Sequence, residues 1–421
     1  MPDVTGRRLR VLAVCATDGF LGPLPLNAAA VRALELNWHL AEGDHRVEVS
    51  MLLCDLNPAS FTTGWPFPVQ YLSPGDYYAR DRARMTQLVC EARPDVLVIP
   101  DSALLVRAGR QLAAAAGCVL VYEMHGRVPA LSRTGGLGGS DNGVVQHAAI
   151  RLADAVITLT GRDTRRAIDA GAAGQVRIVP AGAIPQPAAA GGNPQGPVVF
   201  AADCTSETNQ HALRTLHKQM PEDVPVAVYG RYPAPLGREL PRFTWHGPVS
   251  DLHAALITAS AGIAPHGEAP GVRAQILAYM TAGLPVIATR KALTGFPHPG
   301  SFALISETPD ASDLPHLLSV LRQDPTLGRR LGRCGRRLIS SELSWARLAA
   351  RAASAYRDAR PRRRDATAPA VARRLAEHPP PALTALHHRS LARDGPRPAC
   401  STTLSVFMKR GNGDIPIAHG M

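Results

Sequence analysis

Several absences narrow the reading before any motif is considered. No window of the 421 residues approaches the roughly 20 consecutive apolar residues of a membrane-spanning helix. The N-terminus MPDVTGRRLRVLAV carries a short basic stretch and then only a strand-length apolar run, so no signal peptide is expected. The seven cysteines include no CxxC pair and are odd in number. A disulfide framework or zinc ribbon is therefore disfavoured, and buried reduced thiols of a cytoplasmic protein are expected. Neither HExxH nor a His/Asp cluster at metal-ligand spacing occurs, and no metal is expected. G-x-G-x-x-G is missing too, which disfavours a nicotinamide-type cofactor. Aromatics make up only 5% of the chain. Basic stretches without interleaved aromatics are poor platforms for stacking bases, so no nucleic-acid partner is expected.

What is present is basic and unevenly spread. Net charge is +12, and residues 361–421 hold ten Lys/Arg against four Asp/Glu, a local +6. This Pro-rich tail reads as a solvated, largely disordered extension, with weak contact to an anionic membrane as its alternative role.

The rest alternates short apolar runs with amphipathic stretches. LRVLAVCA (9–16) reads as a first strand, Ala28 to Glu42 as a helix, and HRVEVSMLL (45–53) as the next strand. Runs at 94–100, 118–125, within 149–160 and at 176–183 continue the pattern. Residues 185–197, rich in Pro, Gly and Ala, read as a linker. The alternation then restarts with runs at 198–203, 224–230, 243–247, 261–265, 285–289 and 302–306, and helices close the chain to residue 359. Strands alternating with helices predict parallel, doubly wound sheets, with ligands outside the carboxyl ends of the strands. The expected domains are 1–184, 198–343, a closing helix 344–360 that crosses back, and a tail 361–421.

The segment from Ile263 to Thr289, IAPHGEAPGVRAQILAYMTAGLPVIAT, is the most informative. It reads strand, glycine-bearing loop, helix, strand. Unpaired N–H groups and the positive end of the helix dipole converge at such a helix start, which suits an anionic group. Arg273 adds a fixed cation with a forked donor set.

This segment resembles the donor motif of retaining glycosyltransferases of the GT-B fold, especially the large family four, which reads G-x-R-x-K-I-L-E-A-M-A-x-G-x-P-V-V. Gly271, Arg273, Ile276, Leu277, Met280, Gly283, Pro285 and Val286 match, whereas the lysine is Gln275 and the glutamate is Ala278. Leu152 to Ile157 with Val179-Pro180 and Gly182 resemble the family's A-D-x-V-I … V-x-P-N-G segment, with Ala181 for the asparagine. His246 to Leu252 resembles its F-x-G-x-V-x-D-L turn, Asn209 an asparagine after the second domain's first strand, and Ser344-Trp345 the start of its final helix. The resemblance spans roughly residues 8–358. It implies a GT-B fold: two Rossmann-like domains facing a central cleft.

It also implies site residues. Arg273 and Gly271 fall at the donor diphosphate, Val249 and Leu252 in the turn that borders the base, and Asn209 in the nucleotide site. The loop after the first strand brings Asp18, Gly19 and Gly22 toward donor diphosphate or acceptor from the first domain. His125 is placed as a catalytic contact to donor sugar or acceptor, with Glu123 two residues before it on the acceptor side. Glu268 is the candidate for orienting sugar hydroxyls, His266 lines the site, and Asp101 is a further strand-end acid. The family's other cations fall at Asp203 and Thr208, so Arg273 acts alone or Arg127, Arg231 or Lys291 substitutes. The expected activity is metal-independent transfer of a hexose-like sugar from a nucleotide sugar, as co-substrate, to a small-molecule or glycan acceptor, with retention of configuration. The alternative is a catalytically weakened relative acting as a binding or scaffold subunit. A cytoplasmic location follows, with peripheral contact at the inner membrane face as the tail's contribution.

Overall fold

The computed structural model describes residues 7–16, 28–54, 65–78, 82–100, 103–125, 139–187, 192–267 and 272–361. Asp18, Gly19, Gly22, Asp101, Arg127, Glu268, Gly271 and the tail beyond residue 361 lie outside them. By contacts, the described residues fall into two units: 7–16, 40–179 and 351–361 in the first, 28–39 and 180–350 in the second.

The first half of the chain runs β1 (Leu9–Ala16), α1 (Ala28–Glu42), β2 (Val47–Cys54), β3 (Val69–Leu72), α2 (Pro74–Tyr78), α3 (Ala83–Ala92), β4 (Val96–Pro100), α4 (Ala103–Ala116), β5 (Val119–Met124), α5 (Gly139–Leu152), β6 (Ala155–Thr158), α6 (Gly161–Asp169) and β7 (Gln175–Ile178). Its seven strands are all parallel, in the order β3-β2-β1-β4-β5-β6-β7. The central strands are buried on both faces (β4, VLVIP, and β5, VLVYEM, are buried along almost their whole length), as a sheet covered by helices requires. Asp154, from the A-D-x-V-I segment, stays buried at the foot of this sheet. Its Oδ2 accepts from the Leu120 N–H and from Arg110 Nη1, both at 2.8 Å.

The second half runs β8 (Val198–Ala201), α7 (Glu207–Gln219), β9 (Val226–Tyr229), α8 (Ala234–Glu239), β10 (Thr244–Gly247), α9 (Leu252–Leu256), β11 (Ala261–Ala264), α10 (Ala274–Ala282), β12 (Val286–Thr289), β13 (Ala303–Ser306), α11 (Leu314–Gln323), α12 (Pro325–Leu338) and α13 (Trp345–Asp358). Its six strands are again parallel, ordered β10-β9-β8-β11-β12-β13. The order reverses between β8 and β11, and sheets of this kind bind ligands at the carboxyl ends of the strands at such a reversal point. Gly283, in the left-handed region at φ 71°, closes α10 with its N–H on the Met280 carbonyl at 3.0 Å. The buried Tyr279 hydroxyl accepts from the Ala201 N–H at 2.8 Å, which ties α10 to β8.

Several boundaries differ from the sequence reading. Sequence analysis did not identify β3 and α2. Helix α10 of the Ile263–Thr289 segment begins only at Ala274, because Arg273 holds extended backbone at φ −75°, ψ 110°. Helix α12 ends at Leu338 and a π-helical turn, Ile339–Leu343, follows. Of the segment read as a linker, 192–197 is held to the second unit by the Asn193 N–H on the Ala259 carbonyl at 2.8 Å.

Candidate functional site

A continuous polar chain runs along the carboxyl ends of the strands at the reversal point of the second unit. Two residues past β8, Asp203 accepts on Oδ1 from the Thr205 N–H (3.1 Å) and hydroxyl (2.7 Å), and on Oδ2 from Arg231 Nη2. The register explains the ion pair. Ala201 pairs with Tyr229, so two residues further on Asp203 and Arg231 leave the sheet side by side. The Asp203 carbonyl accepts from Asn209 Nδ2 at 2.8 Å, and Asn209 Oδ1 meets His266 Nε2 at 3.0 Å. This bond bridges the loops after β8 and β11, across the reversal point.

The chain also fixes the protonation of His266. A backbone carbonyl only accepts, so the Asn209 amide nitrogen must face Asp203 and its oxygen must face His266. His266 Nε2 is therefore the N–H, and Nδ1 carries the bare lone pair. The ring is fully buried, stacks on Phe200 at 5.5 Å, and its carbonyl accepts from the Thr289 hydroxyl. Burial first, and the nearby Arg273 guanidinium second, push its pKa down to about 3. His266 is a neutral acceptor at any working pH.

Arg273 stands at the start of α10, and burial pushes its pKa down to about 10. Its Nε and Nη2, together with His266 Nδ1 and Arg231 Nε, are buried with no hydrogen-bond partner among the described residues. Unpaired buried polar atoms cost roughly 1–3 kcal/mol each. Donors suited to an anion and an acceptor suited to a hydroxyl thus lie close together.

A pH dependence follows. The folded pKa of His266 lies below its ordinary 6.5, so between the two values the unfolded chain binds the proton and the folded chain does not. Stability tied to His266 is fully present above pH 6.5 and is lost as pH falls from there through about 3. Between pH 6.5 and 5 this amounts to roughly 2 kcal/mol, at about 1.4 kcal/mol per unit. Urea melts of His266→Phe are expected to show a correspondingly shallower acid limb than the native chain. Parallel limbs would contradict the assignment.

The other expected residues are distributed as follows. Val249 and Leu252 flank the helix cap Asp251, which accepts from the Ala254 N–H at 2.9 Å, and Leu252 packs into the core beside α10. Gly247, at φ 67°, accepts from the Gly230 N–H at 2.9 Å, and the exposed His246 ring lies flat on Tyr229 at 4.6 Å. Gln275 is buried and Ala278 packs partly against the core, so neither motif departure leaves a charge on α10. Lys291 is exposed.

In the first unit Glu123 is 2% exposed. Its Oε1 accepts from the Tyr356 hydroxyl on α13 at 3.0 Å, and its Oε2 lies 3.4 Å from His125 Nε2. Glu123 is thus fully engaged in holding His125 and α13. Sequence reasoning overlooked Tyr356 and Thr289 as well as the Asp203–Arg231 pair. Only the last had a signal, in the strand-end spacing of neighbouring βα units. Among the described residues no group of three or more His, Cys, Asp or Glu is placed to hold a metal, and no helix is long and apolar enough to cross a membrane.

Comparison with solved structures identifies the fold. A sucrose-phosphate synthase from Thermosynechococcus elongatus superposes with a TM-score of 0.65 at 17% identity, covering 83% of this chain and 98% of that one. The Anabaena protein HepE, solved with UDP and glucose, gives 0.61 at 14% identity over 82% of this chain and 99% of that one. A glycosyltransferase from Rickettsia africae gives 0.60 at 11% over 83% and 98%. Two parallel Rossmann-like sheets with these neighbours are the GT-B fold of glycosyltransferases. Residues 206–321 match the family model Glycosyl transferases group 1. That stretch contains Asn209, Arg231, His266 and Arg273, so the chain carries a glycosyltransferase group 1 domain. No curated protein matches it in sequence.

Proposed function

We propose that the chain transfers a hexose-like sugar from a nucleotide-sugar donor to a small-molecule or glycan acceptor, with retention of anomeric configuration. The single observation that carries this reading is the pairing, at the reversal point of the second sheet, of Arg273 donors with the His266 Nδ1 acceptor, both buried without a partner among the described residues. A phosphate ester that also bears hydroxyls satisfies both groups; a simple anion satisfies only the first.

As the glycosidic bond breaks, the leaving diphosphate gains negative charge. A preorganised guanidinium stabilises that charge more in the transition state than in the ground state. Arg273 holds this role, with Arg231 as the second cation, kept in place by Asp203; Gly271, proposed beside it, lies outside the described residues. The positive charge comes from these side chains, and no metal is part of the reading. His266 Nδ1 accepts from a donor hydroxyl, Asn209 fixes its tautomer, and Glu268 orients further sugar hydroxyls. The turn carrying Val249 and Leu252 borders the base. His125, held by Glu123, is the first unit's proposed contact to sugar or acceptor; Asp18, Gly19 and Gly22, proposed for the same role, lie outside the described residues. The HepE structures contain UDP and UDP-glucose, so uridine donors come first in any screen. The location belonging to this reading is cytoplasmic.

The test is thermal stabilisation by UDP-, GDP-, ADP- and TDP-linked sugars, followed by release of the nucleoside diphosphate. At a hundred times the dissociation constant, stabilisation of about 2.7 kcal/mol is expected from the matching base. A cooperative melt that no donor shifts would overturn the reading. A shift without turnover would favour the scaffold alternative, which the uncharged Gln275 and Ala278 on α10 already suggest.

A further inference from the structure

Helix α12 carries its charge on one face only. Gly328, Leu331, Gly332, Gly335 and Leu338 form its buried side. A Cβ on Gly332 would lie 1.9 Å from the Gly283 carbonyl oxygen, so the helix is seated tightly on the end of α10. The opposite side is fixed outward by this seating and presents Arg329, Arg330, Arg333 and Arg337, all exposed, with Arg322 at the end of α11 beside them. None of the five has an ion-pair partner among the described residues, although Arg329 donates to the Thr326 hydroxyl at 3.2 Å. No Asp or Glu occurs between Asp324 and Glu342. Arg329, Arg333 and Arg337 follow at i, i+4 spacing, where like charges destabilise a helix. The chain as a whole, at +12, offers no surplus of acid to neutralise them.

At one end of this row Arg322 and Arg329 line a shallow recess with Leu318, Leu321, Pro285 and Ser260. Ser260 and Pro285 precede β11 and β12, so the recess opens at the amino ends of the strands. That is the opposite end of the sheet from His266 and Arg273. The arginine face is therefore separate from the donor site.

We propose that the arginine face of α11 and α12 docks the chain onto an anionic phospholipid surface. The reading does not depend on sugar transfer, and it moves the membrane contact from the tail to a folded helix. Four guanidiniums along a rigid helix about 21 Å long match a plane of head groups. Each basic side chain near such a surface adds attraction that falls off within a Debye length. The recess decides between lipid and nucleic acid. Guanidiniums over an apolar floor suit a phosphate joined to an apolar group, and the exposed face has no aromatic ring on which a base could stack.

The full chain is to be sedimented with vesicles of phosphatidylcholine alone and with vesicles that also contain phosphatidylglycerol. Binding only to the mixed vesicles, lost at high salt, is expected. The variant R329Q/R333Q/R337Q is expected to bind on the order of a hundredfold more weakly, with unchanged melting temperature and unchanged nucleotide-sugar binding. Should that variant fold poorly, R330E gives the same direction of change from a single exposed position. The control R362Q/R363Q/R364Q removes equal charge from the tail and is expected to bind as the native chain does. Equal loss in the tail control, no preference for anionic vesicles, or tighter binding to a single-stranded oligonucleotide than to the vesicles would each overturn the proposal. Donor binding by the α12 variant separates failure of docking from failure of the transferase reading.

Discussion

Replacing Arg273 with alanine is expected to lower kcat/KM for the matching nucleotide sugar by about a hundred- to a thousandfold, the usual effect of losing one preorganised donor to developing charge. The fold is expected to tolerate the change. The guanidinium is largely buried, its pKa is pushed down to about 10 by that burial, and two of its nitrogens have no partner among the described residues. Removing it relieves a desolvated charge and breaks no hydrogen bond of Nε or Nη2, so the melting temperature should hold or rise. The division of the effect is informative. A fall in kcat places Arg273 on the leaving diphosphate in the transition state, whereas a rise in KM alone marks binding that is uniform along the reaction. Arg273→Lys keeps the charge but loses the fork and should lie between the two. An unchanged kcat/KM in Arg273→Ala would remove the proposed donor site.

The largest stability effect is expected in the first unit, at Asp154. Its buried carboxylate accepts from the Leu120 N–H and from Arg110 Nη1. Asp154→Ala strands a main-chain donor at the start of β5 and a partly buried guanidinium, so a loss of about 3–5 kcal/mol is expected. Asp154→Asn keeps an acceptor for Leu120 and should cost less. Urea unfolding followed through the first unit's transition measures both. A loss below about 1 kcal/mol for Asp154→Ala, too little for a broken buried pair, would mean that water replaces the carboxylate. The residue belongs to a motif by which the family resemblance was recognised, yet its role here is to hold a strand in register.

Legibility differed between levels for physical reasons. The parallel, doubly wound sheets were open to reading because buried parallel strands are written as largely apolar runs such as VLVIP and VLVYEM between helical stretches, whereas the strand order came only from the fold. β3 escaped because Val69–Leu72 is a four-residue edge strand with one buried position, too short for any period to show. Arg273 was legible from its place at a helix start. The tautomer of His266 was not, since it depends on Asn209, 57 residues away, and on the carbonyl of Asp203. The contact of Tyr356 with Glu123 joins residues 233 positions apart and leaves no local trace. The Asp203–Arg231 pair lies between these cases, because adjacent parallel strands place equivalent strand-end residues together.

The most direct test of the donor site is hydrogen–deuterium exchange of the full chain with and without the nucleotide sugar that stabilises it. Protection concentrated at 203–209 and 263–277, the two loops joined by the Asn209–His266 bond, with little change along α12, is the predicted result. Protection confined to other segments, or none despite binding, would contradict a donor site at the reversal point of the second sheet.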